Sequence, residues 1–85
     1  METKLPQETL DIINRMDLPE EKKNEAISIS TQLYIDLQRA PAFLLQMYLL
    51  EAVDAFAIKV DADITKFYPI TKSLTDKLHI NLTKE

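Results

Sequence analysis

The sequence predicts an all-α fold: a small bundle of three to five helices with a central apolar helix, forming a single helical domain over residues 1–85. Three observations lead there. Apolar residues return at helical spacing in several long segments. The 85-residue chain contains no glycine, the residue that supplies the positive-φ positions of tight hairpin turns. The prolines at 6, 19, 41 and 69 stand at the borders of the periodic segments, where a missing N–H and a fixed φ are tolerated. With 46% apolar residues, a chain of this size has material for one core and too little for two.

The first helix is expected from Pro6 to Met16. Leu10, Ile13 and Met16 fall on one face with Ile12 beside them. Asp17-Leu18-Pro19 ends it, because the residue before proline avoids the helical region. The second is expected from Pro19 to Arg39. Asp17 or Leu18 would cap it, and Glu20 and Glu21 complement the positive end of its dipole. Ala26, Ile29, Leu33, Leu37 and Ala40 make one stripe, which Ile27 and Tyr34 widen to an arc of roughly 160° at 100° per residue.

The third segment, Ala42 to Val60, follows Pro41 and is different in kind. Its polar interruptions are Gln46, Glu51, Asp54 and Lys59. On a helical wheel Leu44, Leu45, Tyr48, Leu49, Ala52, Val53 and Phe56 fill one broad side. Phe43, Met47, Leu50 and Ile58 fill the other, mixed with Gln46, Glu51 and Asp54. A helix apolar nearly all round is usually covered on more than one side. A small domain leaves a larger share of its apolar surface uncovered. The segment is not a membrane span: its longest uncharged stretch, Ala40 to Leu50, is well under the ~18–20 residues required, and Glu51 and Asp54 would be costly in lipid.

The last third admits two readings. Phe67, Ile70, Leu74 and Leu78 share a helical face, Pro69 can open a helix, and Ser73-x-x-Asp76 resembles a capping box. These favour a helix over 69–79. Against it, Ile58, Val60, Ala62 and Ile64 alternate with polar residues, as do Leu78, Ile80 and Leu82, and alternation is the strand signal. The alternative fold is therefore α+β, with a small C-terminal β-ribbon.

Composition removes whole classes of function. Without glycine there is no phosphate-cradling loop and no dinucleotide fingerprint. Without cysteine there is no disulfide, no thiolate metal site and no cysteine nucleophile, which points to a reducing, cytoplasmic setting. Residues 1–6 carry neither a basic flank nor an apolar run, so no signal peptide is expected. The net charge is −4, residues 40–63 hold four acids against one base, and no basic stripe with interleaved aromatics exists. Nucleic acid is thus not the expected partner, although Lys66, Lys72, Lys77 and Lys84 make the tail mildly basic.

Candidate chemistry is sparse. The single histidine, His79, has no serine tied to it by any local signature of a nucleophilic triad. Glu51 and Asp54, three apart, share a helix face, but the Glu-x-x-His motif of two-metal bundles is absent. Asp61-x-Asp63-x-Thr65 starts like a calcium loop, yet Lys66 stands where that loop needs glycine and Lys72 where it needs glutamate. No catalytic residue, metal ligand or cofactor is expected.

Two resemblances are worth stating. Pro41 followed by Phe43, Leu45, Tyr48, Leu49 and Leu50 resembles the second helix of the small docking domains related to the regulatory subunit of protein kinase A, which implies a dimeric helical hairpin. Leu33-Tyr34-x-x-Leu37 followed by a long apolar helix resembles class II bacteriocin immunity proteins, which implies a cytosolic four-helix bundle. Each likeness covers a short stretch of common residue types, and neither carries functional residues across.

The functional expectation is a non-enzymatic protein-binding module: an inhibitor, immunity factor or small regulatory adaptor that captures a protein partner sterically. Its expected partner-binding residues are Phe43, Gln46, Met47, Leu50, Glu51, Asp54 and Ile58. The alternatives are a structural homodimerisation or docking domain, in which a second copy covers the same face, and a bacteriocin-immunity-like bundle.

Overall fold

The computed structural model describes residues 4–60 and 63–80. Four α-helices follow one another: α1 (Gln7–Arg15), α2 (Glu20–Arg39), α3 (Leu45–Lys59) and α4 (Tyr68–Lys77). Single 3-10 turns lead into the last two, Ala42–Leu44 before α3 and Ile64–Phe67 before α4. Among the described residues there is no strand, so the helical reading of the C-terminal third holds and the ribbon does not form. Ala62 and Leu82, two members of the alternating pattern, lie outside the described residues.

Proline sets the start of three helices. Pro6 and Pro19 occupy the cap positions of α1 and α2 rather than their first turns. Their carbonyls accept the first helical bonds, from Leu10 at 3.1 Å and Lys23 at 2.9 Å. Neither cap uses a side chain, so Asp17 is not the capping residue of α2. Pro69 lies in the first turn of α4, where its missing N–H leaves no helical bond unmade.

The ends of the helices show how a chain without glycine stops a helix. Met16 and Ala40 leave α1 and α2 in extended backbone, each with ψ 144°. For Ala40 this is the conformation that the following Pro41 imposes. Two lysines near the start of α2 then reach to the exposed carbonyl ends of other helices. Lys23 donates to the Asn14 carbonyl at the end of α1, and Lys22 donates to the Lys59 carbonyl at the end of α3, both at 3.2 Å. A cation there also complements the negative end of the dipole.

The end of α4 uses the left-handed turn itself. His79 has φ 59°, the Ile80 N–H donates to the Thr75 carbonyl at 2.8 Å, and the His79 N–H donates to the Asp76 carbonyl at 3.1 Å. This is the paired bonding of a Schellman motif with histidine in the position glycine normally takes. The alternation of Leu78 and Ile80 is thus the signature of a helix turning back on itself. Ser73 is no cap either: it sits inside α4 and joins its hydroxyl to that of Thr9 at 2.8 Å.

The core draws on every helix. Ile13, Ala26, Leu33, Tyr34, Leu37, Ala52, Phe56, Phe67, Ile70 and Leu74 are buried. The rings of Phe56 and Phe67 stack in parallel with centroids 4.5 Å apart, which pins the second 3-10 turn to α3. Burying each ring contributes about 1.5–3 kcal/mol. Helix α2 contacts α1, α3 and α4, and α1 lies against α4. Helix α3 packs along α2 and on the Ile64–Phe67 turn, leaving its other side uncovered. No helix among the described residues is long and apolar enough to cross a membrane.

Candidate functional site

The two sides of α3 have different fates. Ala52 and Phe56 are buried, Leu45, Tyr48 and Leu49 are half-buried against the core, and Val53 is half-buried. The seven residues read from the sequence as a binding face, Phe43, Gln46, Met47, Leu50, Glu51, Asp54 and Ile58, are all exposed. Phe43 is 82% exposed, Ile58 80%, Leu50 65% and Met47 44%. These exposures are large for such side chains, which are ordinarily among the more buried residue types.

Their spacing explains why they share a surface. Met47, Leu50, Asp54 and Ile58 succeed one another at steps of three or four, which keeps them within an arc of roughly 80°. Phe43, at the middle of the Ala42–Leu44 turn, extends the row at its N-terminal end. From Phe43 to Ile58 the row runs for about 22 Å. Glu51 and Asp54 are its ionised groups, and neither takes part in an ion pair among the described residues.

Beside this face lies an open groove of about 760 Å³ between α3 and α4, lined by Leu49, Leu50, Val53, Tyr68, Pro69 and Ile80 among others. Leu50 belongs both to the face and to the groove. Tyr68, half exposed, is a surface residue that the reading of the sequence passed over. Its position gives the signal: it is displaced by about 100° from the Phe67, Ile70, Leu74 and Leu78 face of α4. A smaller cleft of about 330 Å³ separates α2 from α3, with Gln32, Asp36, Tyr48, Glu51 and Lys59 on its walls.

The other candidates stay apart. His79 is exposed on the turn after α4, and its side chain makes no hydrogen bond among the described residues. Asp63 uses its carboxylate locally, accepting from the Thr65 N–H and hydroxyl to start the second 3-10 turn. Lys72 pairs with Asp76 at 3.2 Å one turn along α4. No group of three His, Asp or Glu side chains suited to a metal ion occurs among the described residues. Asp61, the first residue of the calcium-loop-like pattern, lies outside the described residues.

Comparison of the chain with protein-family models, with curated proteins and with solved structures finds no match. The face itself is therefore what bears on function. What this arrangement can do chemically is bury apolar area against another surface while two carboxylates select the charge opposite them.

Proposed function

We propose that this chain is a non-enzymatic protein-binding module that captures a partner sterically through the outer side of α3, in the manner of an inhibitor, immunity factor or small regulatory adaptor. One observation carries the reading. Phe43, Met47, Leu50 and Ile58 stand in the open on a domain whose interior is already supplied, with Phe56, Phe67, Ile70 and Leu74 fully buried. The exposed row is surplus to folding, and an exposed apolar surface bordered by polar groups is the usual form of an interaction site.

A structural homodimer is the second reading. Phe43 and Ile58 lie equally far from the midpoint between Leu50 and Glu51, so two copies could set their rows antiparallel, each Phe43 against the other copy's Ile58.

The test is the double variant Met47→Glu/Leu50→Glu, followed by circular dichroism and by retention of partners from extracts of the native host. The expected result is an unchanged helical spectrum with loss of the retained partner. Unfolding would show that these positions belong to the core. Undiminished retention would show that the partner binds elsewhere. A wild-type protein that sediments as a dimer, and a variant that sediments as a monomer, would select the second reading.

A further inference from the structure

We infer that the partner of the α3 face is a basic protein segment, one presenting an apolar ridge flanked by lysine or arginine, and not a second copy of this chain. The inference rests on the proposed role of that face and adds the chemistry of its occupant.

The charge pattern along α3 carries it. Between Arg39 and Lys59 the sequence contains no basic residue, and its ionised groups are Glu51 and Asp54. Both are exposed, Asp54 within the row and Glu51 at its edge, where the cleft toward α2 begins, and no cation of this chain pairs with either among the described residues. Covering the apolar row means covering these carboxylates as well. A charge taken from water without a partner is strongly unfavourable, so whatever seats on the row must answer it.

A second copy that sets the same row against this one cannot. In the antiparallel arrangement that matches Phe43 with Ile58, positions opposite each other sum to 101. Met47 then faces Asp54 of the second copy, and Leu50 faces Glu51. Each carboxylate meets an apolar side chain, and the seam gathers four acids without a base. A segment with lysine or arginine beside its apolar ridge does the reverse. It buries against Phe43, Met47, Leu50 and Ile58, and its cations reach two carboxylates one helical turn apart. The open groove beside Leu50 gives such a segment further apolar wall from Leu49, Val53 and Tyr68.

The experiment uses the full chain and two synthetic helical peptides about 15 residues long, matched to the ~22 Å row. Both carry leucine at every third or fourth position. One has lysine at the flanking positions and the other has glutamate. Binding is read by fluorescence anisotropy at physiological salt, and the oligomeric state by sedimentation. The wild type should bind the lysine peptide at least tenfold more tightly than the glutamate peptide. Glu51→Lys/Asp54→Lys should reverse that preference, and Glu51→Gln/Asp54→Asn should reduce it. Glu8→Lys/Asp11→Lys, which changes the net charge equally on α1, a helix that packs on α2 and α4, should leave it intact.

Absence of a preference, binding of neither peptide, or an equal effect of the α1 variant would overturn the inference. So would a wild-type dimer that Met47→Glu/Leu50→Glu dissociates. If both peptides bind equally and that variant abolishes both, the basic partner falls and the α3 face stands. If the variant leaves binding untouched, the face itself falls.

Discussion

Thr9 on α1 and Ser73 on α4 join hydroxyls at 2.8 Å across the contact between the first and last helices. Thr9 is fully buried, so its hydroxyl has no access to water if the pair is broken. Removing one partner of a buried hydrogen bond leaves the other unsatisfied and costs about 1–3 kcal/mol, whereas removing both can be nearly neutral. Ser73→Ala is expected to cost about 1–2 kcal/mol for this reason. Thr9→Val/Ser73→Ala should cost less than the sum of the single variants. Urea denaturation of the four proteins checks it, and additive losses would show that the two hydroxyls are not coupled.

The histidine at the end of α4 yields a prediction of opposite sign. A residue with a Cβ held at φ 59° is less favourable there than glycine. His79→Gly removes that strain while keeping both backbone bonds of the turn. The expected gain, after the added freedom of glycine in the unfolded chain is offset, is about 0.5–1 kcal/mol. A thermal melt of the variant should shift upward by a few degrees. A lower melting temperature would mean that the His79 side chain contributes more than its backbone costs.

Ser30 makes a third case. Its side chain is buried in α2, and its hydroxyl finds no hydrogen-bond partner among the described residues. Replacing it with alanine removes an unsatisfied polar group at little cost in volume. Ser30→Ala is therefore expected to be neutral or stabilising by up to ~1 kcal/mol, read as the midpoint of chemical denaturation. A clear loss would reveal a partner for the hydroxyl.

The stacked rings mark where the domain can least tolerate change. Phe67 and its neighbour Tyr68 differ by one position and by their whole environment: the first is fully buried against Phe56, the second half exposed. Phe67→Ala should cost about 3–5 kcal/mol, a large part of what a domain of this size has. Tyr68→Ala should cost under ~1 kcal/mol. Equal losses at the two positions would contradict the burial that separates them.

The helices were legible in the sequence because periodicity and proline agreed near the start of each one. The stripe of α2 and the Phe67, Ile70, Leu74 and Leu78 face of α4 fold as their spacing predicts. What kept a C-terminal ribbon open as the alternative was local alternation at the end of α4. Leu78 and Ile80 point the same way in a strand, but the left-handed His79 between them makes them the two sides of a helix stop. Absence of glycine made that stop hard to anticipate, since nothing in the pattern flags histidine for it. The Ser73-x-x-Asp76 spacing misled similarly, because a serine that could cap a helix was recruited across the bundle by Thr9. Such long-range bonds leave no trace in short spacing. The division of α3 into two sides was visible on the wheel. The groove toward α4 was not, since it depends on how two helices diverge in space.

The last prediction concerns those two sides directly. Ala52 is buried on the inner side of α3, where the helix packs along α2. Phe43 and Ile58, 82% and 80% exposed, hold almost no contact that folding could lose. Ala52→Leu should force extra volume into a close-packed seam and cost about 1–3 kcal/mol. Phe43→Ser/Ile58→Ser should change stability by no more than about 0.5 kcal/mol per site and raise solubility, because it removes apolar area that water already touches. Denaturation midpoints compare the stabilities, and the concentration reached before precipitation compares the solubilities. If the serine pair destabilises as much as Ala52→Leu, the row is part of the folded core, and no surface remains for a partner to cover.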